Sequence, residues 1–222
     1  MTSQIRANLV TVSDPRSAAA EAYRALRTNL SFSSLDAPIR TLVVTSPAPQ
    51  ENQPIVIANL AVIMAQGGNR TILADCDLRR PVLHEIFGAD NSRGITTMML
   101  DESAMSEPPA QRTEIENLRL LPSGPLPPNP ADLLGSRRMD VVISRLVESA
   151  DIVLLNAPPV IAVTDAALLG SKVDGVLLVI SAGSTRRDHA ERAKEMLDKV
   201  NARIVGTVLD NAPADALVGS YY

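Results

Sequence analysis

Six short apolar runs rich in β-branched residues, at positions 41–45, 71–74, 118–121, 152–155, 176–180 and 204–209, constrain this chain more than any other feature. They are almost continuously hydrophobic rather than alternating, which is the pattern of strands covered by helices on both faces, as in a parallel sheet. Helical patterns fall between or after them, at 55–65, near 82–87, and at 138–148, 165–169 and 186–200. Such alternation predicts a doubly wound α/β fold: a three-layer α/β/α sandwich with a mostly parallel central sheet and Rossmann-like architecture. Sheets of this kind bind ligands outside the carboxyl ends of their strands, so the residues just after each run carry the chemistry.

The 222 residues suffice for one such domain with a sizeable core. A further helix before the first strand is opened by Asp14-Pro15, with Ala18, Ala22, Leu26 and Leu30 as its expected apolar stripe. Residues 107–112 and the proline-rich run 122–130 read as loops. The expected organisation is a flexible N-terminal segment (1–14), a single domain (15–212) and a flexible C-terminal tail (213–222) ending in Tyr221 and Tyr222. Twenty-one basic against 25 acidic residues leave no positive excess to advertise a nucleic-acid partner. One cysteine, Cys76, and two histidines, His84 and His189, offer neither an intrachain disulfide nor a zinc cluster, which fits a cytoplasmic setting. No apolar run approaches the roughly 20 residues that span a bilayer, and no signal-peptide core is evident, so any membrane role is expected through a partner.

Three strand ends draw attention. The first run leads through Thr45-Ser46-Pro47-Ala48-Pro49-Gln50-Glu51-Asn52-Gln53-Pro54 directly into a helix pattern. Strand, loop and helix in this order are the setting of a phosphate loop, which needs glycine to wrap the phosphates, lysine to reach them and a Ser/Thr hydroxyl for Mg²⁺. Here those places hold Asn52, Gln53 and Pro54: a residue that tolerates left-handed backbone, a neutral amide, and a proline with no N–H at an early helical position. Lysine-dependent chemistry is absent from the whole first part of the chain, because its first lysine is Lys172. The second run ends in Asp75-Cys76-Asp77, whose period-two spacing puts two carboxylates on one side, ready to share a cation or a proton; the competing reading has them neutralised by Arg79 and Arg80. The run at 152–155 ends in Asn156, where phosphate-loop proteins hold the water shell of Mg²⁺ with an acid.

These residues together resemble the bacterial tyrosine kinases of capsule and exopolysaccharide export, a P-loop NTPase-like family related to the Min and Par positioning ATPases. The likeness runs from about Pro15 to Asn211. It is carried by Ala74-Asp75-Cys76-Asp77-Leu78-Arg79-Arg80-Pro81, which matches the family's second Walker motif, and by Glu21-x-x-Arg24-x-x-Arg27, which matches its oligomerisation helix. The segments 121–134 and Ala157-Pro158-Pro159-Val160 followed by Thr164-Asp165-Ala166 add to it. The resemblance implies that Asp75 is the catalytic, Mg²⁺-associated aspartate with Asp77 its partner. It also implies that Tyr221 and Tyr222 are a shortened cluster of phospho-acceptor tyrosines. On the same pattern Asn52 stands for glycine, Gln53 for lysine, Pro54 for Ser/Thr and Asn156 for the Walker B aspartate.

Four departures converge on one ligand, Mg·ATP. Losing two charge-assisted contacts of about 1.5–3 kcal/mol each would weaken phosphate binding by roughly 10²–10⁴. The reading this favours is a pseudokinase or scaffold in polysaccharide polymerisation and export with no cofactor. Its partners would be a membrane-embedded chain-length regulator and either itself or an active kinase paralogue, which would hold it at the inner face of the membrane. The alternative is an active tyrosine autokinase or ATPase with an atypical phosphate loop, which alone would bring in Mg·ATP, with Asp75 and Asp77 at the metal. A Par- or Min-like positioning ATPase and a binding domain for another small anion are further alternatives.

Overall fold

The computed structural model describes residues 9–32, 38–49 and 52–212. Its seven-stranded sheet runs in the order β3-β4-β2-β5-β1-β6-β7. The strands are β1 (Thr41–Thr45), β2 (Thr71–Asp75), β3 (Gln111–Arg112), β4 (Leu118–Leu121), β5 (Ile152–Asn156), β6 (Gly175–Ser181) and β7 (Ile204–Asp210). All pairings are parallel except β3 against β4. The six apolar runs of the sequence are these parallel strands, each matched to within a residue at either end. The short β3 was expected as loop: Gln111 and Arg112 pair antiparallel with Leu120 and Arg119, an edge contact too short to leave a pattern in the sequence.

Both faces are buried along the central strands β1, β2 and β5, which explains their continuous apolar runs; the edge strands β3 and β7 are half-buried or exposed. Alternate residues of one strand enter different cores: Val43, Ile72, Ala74, Val153 and Leu155 face one side, and Leu42, Val44, Leu73 and Leu154 the other. The second core is filled by α3 (Gln53–Gln66), α4 (Leu83–Phe87) and two N-terminal helices, α1 (Val10–Ser13) and α2 (Ala18–Phe32). The first is filled by α5 (Ile95–Leu100), α6 (Glu102–Ser106), α7 (Pro130–Gly135), α8 (Arg137–Glu148), α9 (Asp165–Gly170) and α10 (Arg187–Asp198). Three of these, α5, α6 and α7, each of five or six residues, were not anticipated. Pro130, the last residue of the expected loop, is the first of α7, a position where the missing N–H costs nothing.

Before Asp14, Leu9 is fully buried, and Thr11 donates from N and Oγ1 to Asn59 Oδ1 on α3, at 3.0 and 2.8 Å. The apolar stripe expected on α2 is corrected in part. On α2 the buried face is Ala20, Tyr23, Leu26 and Leu30, with Arg27 among them, while Ala18 and Ala22 are exposed. Large side chains decide which face turns inward, because burying an alanine removes far less apolar area than burying a tyrosine or a leucine. α1 and α2 therefore lie over α3, which explains why α3 is apolar around its circumference and buried from Val56 to Ala65.

Candidate functional site

The order β2-β5-β1 places three strand ends side by side, and the parallel register aligns them. Asp75 is level with Asn156, and Asn156 is level with Val44. Gln53, the first residue of α3, lies beside this row. Connections leave the row in opposite directions, from β1 across β5 to β2 and from β5 across β1 to β6, which makes it the switch point where such sheets form their crevice.

Three buried side chains meet in that row. Gln53 Nε2 donates to the Val44 carbonyl at 3.0 Å and to Asn156 Oδ1. Asn156 Nδ2 donates to Asp75 Oδ1 at 2.8 Å. Asp75 Oδ2 accepts from the backbone N–H groups of Val82 and Leu83, each at 3.0 Å, so it caps the first turn of α4. Its Oδ1 also accepts from Asp77 N at 3.3 Å. Burial pushes the Asp75 carboxyl up to about 6; the hydrogen bonds from Asn156 and Leu83 pull against that rise, and the charge of Asp77 adds to it. The neighbouring Cys76 thiol is also pushed up, by burial first and by Asp75 and Asp77 after it.

Asp77 sits elsewhere than its spacing suggests. β2 ends at Asp75, so strand alternation does not reach Asp77, and the chain turns outward. Its Oδ1 accepts from the backbone N–H groups of Arg79 and Arg80 at 3.1 and 2.9 Å. The guanidinium groups are not its partners in these bonds. Arg79 instead forms a two-pronged pair with Asp165 at the start of α9, from Nε at 2.8 Å and from the terminal nitrogen at 3.0 Å. The Asp165 side chain is wholly buried, so this pair satisfies a carboxylate inside the fold. Nothing in the sequence links those two positions.

The loop residues are placed as follows. Asn52 is exposed, with φ at −79°, so the left-handed tolerance of asparagine is not called upon. Its carbonyl accepts from Ile55 and Val56 N–H at 3.1 Å each and starts the helix. Pro54 follows Gln53 as the second residue of α3, an early helical position as expected, where its missing N–H would lie unpaired. Gln50 and Glu51 lie outside the described residues.

The charged residues of α2 divide in two. Arg24 pairs with Glu21 at 2.7 Å and donates to the Pro15 carbonyl at 2.5 Å, both near the surface. Arg27 turns inward: its Nη1 donates at 3.2 Å to the Ile63 carbonyl in the last turn of α3, where a cation suits the helix dipole. It packs so closely over Gly67 that a Cβ there would sit 2.2 Å from Nη1. Tyr221 and Tyr222 lie outside the described residues.

No protein-family model matches the chain. Among curated proteins, it is 38% identical to the tyrosine-protein kinase YwqD of Bacillus subtilis over 208 residues, 94% of this chain and 87% of YwqD. The chain belongs to the bacterial tyrosine kinase family. Among solved structures, the chimerical protein CapA2B2 superposes with a TM-score of 0.88 at 34% identity, covering 93% of this chain and 91% of that one. The septum site-determining protein MinD of Pyrococcus horikoshii, with Mg-ADP, shares the fold at a TM-score of 0.66 and 20% identity, covering 80% and 75% of the two chains. The chain therefore has the P-loop α/β fold of the bacterial tyrosine kinases. Among the described residues no helix is long and apolar enough to cross a membrane.

Proposed function

We propose that this protein is a non-catalytic member of the bacterial tyrosine kinase family that serves as a scaffold in capsular or exopolysaccharide assembly. The observation that carries this reading is the closed bonding of Gln53, Asn156 and Asp75. Mg·ATP needs a cation to meet its phosphates and acids to hold its metal. The side chain in the lysine position is a neutral amide whose two N–H bonds go to Val44 and Asn156. The Walker B position is a second amide, and Asp75 already accepts four hydrogen bonds from its own chain. The residues present do not fit Mg·ATP.

The scaffold reading assigns Glu21 and Arg24 on α2 to contacts with another copy or an active kinase paralogue. It assigns Tyr221 and Tyr222 as acceptors for such a kinase. A membrane-embedded chain-length regulator would then hold the protein at the cytoplasmic face of the membrane. Isothermal titration of the full chain with Mg·ATP and Mg·ADP up to millimolar concentration tests the central claim. We expect heats equal to buffer dilution from a protein that circular dichroism shows to be folded. Micromolar binding would return the active autokinase to first place.

A further inference from the structure

We propose that Gln53 and Asn156 act as one amide clamp that assembles the strand-end crevice without a ligand, so that making either ionisable costs less stability when the other is changed with it. The inference deepens the reading above and rests on it. Its basis is the direction of donation. Gln53 gives its N–H bonds to Val44 and Asn156, Asn156 gives to Asp75, and the run ends on the single carboxylate, which also gathers the N–H groups of Val82 and Leu83. Five elements, α3, β1, β5, β2 and α4, are tied through three side chains. Those side chains are 4%, 1% and 0% exposed, so water can replace none of the bonds.

The consequence for substitution follows from charge. The trio carries one formal negative charge, that of Asp75. Asn156→Asp removes the donor and sets a second buried carboxylate against Asp75 Oδ1, where Nδ2 now sits at 2.8 Å. Two carboxylates so close and so dry cannot both ionise. Gln53→Lys alone puts an ammonium in a buried place whose immediate acceptors are two neutral carbonyl oxygens, those of Val44 and the Asn156 side chain. Made together, the two changes keep one net negative charge and convert an amide–amide bond into an ion pair.

Thermal unfolding of the full chain and of Asn156→Asp, Gln53→Lys and the double variant tests this at pH 7.5. We expect Asn156→Asp to lower the midpoint by on the order of 10 °C and Gln53→Lys to lower it by a few degrees. The double variant should recover at least half of the summed loss. Shifts that add to within about 2 °C overturn the clamp. If Asn156→Asp does not fold, the alanine cycle decides: Gln53→Ala made on top of Asn156→Ala should cost less than half of what it costs alone, and equal costs overturn the proposal. The Mg·ATP titration of the wild type separates the two claims. Coupling without nucleotide binding supports both, coupling with binding keeps the clamp and removes the non-catalytic reading, and additivity removes the clamp whatever the titration shows.

Discussion

The strand-end row and the outer face of α2 both carry polar residues singled out by the sequence, yet the fold treats them in opposite ways. In the row, Gln53, Asn156 and Asp75 are almost wholly buried and bonded to groups of their own chain. On α2, Glu21 and Arg24 form an exposed i, i+3 pair, with 71% and 34% of their side chains accessible. A buried polar group needs its partner for the fold to hold, whereas an exposed pair of this kind contributes little and stays available to another molecule. The same contrast divides the Glu21-x-x-Arg24-x-x-Arg27 motif, whose last residue is taken up by the fold.

The largest expected effect lies in the row. Asp75→Ala leaves the N–H groups of Asn156, Val82 and Leu83 without their acceptor and should cost about 3 kcal/mol in urea unfolding at pH 7.5. A loss under about 1 kcal/mol would erase the contrast with α2. Next is pH. The folded Asp75 carboxyl is raised to about 6 from 3.8, so the folded state binds the extra proton between those values. Its stabilising share is therefore complete below about pH 4 and lost as pH rises through about 6, at most about 3 kcal/mol. The other resolved carboxylate shifts, at Asp90, Asp101, Asp151 and Asp188, are downward, so they act below pH 4 and leave this window clear. Unfolding free energies from pH 4 to 7 should show the slope in the wild type and lose it in Asp75→Asn.

Smaller effects sharpen the α2 side. Arg27→Ala removes the cap on Ile63 and the buried stem of the side chain, at about 1 kcal/mol by thermal unfolding. Replacing Glu21 and Arg24 with alanine should change stability by no more than about 0.5 kcal/mol. In sedimentation of the same protein, that double variant should lower the mass of any self-associated form. An unchanged mass would leave α2 with a purely internal role.

Much of the fold was readable because the central strands β1, β2 and β5 are buried on both faces over their whole length, so apolar runs map directly to strands. α2 was legible as a helix but not in orientation, since Ala18 and Ala22 satisfy a spacing without contributing area. The site residues were legible as positions after strands, and their neutral character at Gln53, Pro54 and Asn156 was plain. Their bonding was not. Gln53 and Asn156 are 103 residues apart, Asn156 and Asp75 are 81 apart, and Arg79 and Asp165 are 86 apart. No local period reports such pairs.

What the sequence by itself determined is the alternation of buried strands and covering helices, the family likeness, and the presence of Gln53, Pro54 and Asn156 just after the strands. Tertiary structure alone decided that Asp75 closes on Asn156 and the α4 turn, that Asp77 is held by backbone N–H groups, and that Arg79 and Arg27 serve the fold. The physical reason is register. Local sequence sets which residues end a strand, but only the side-by-side alignment of β2, β5 and β1 brings those ends within hydrogen-bonding distance.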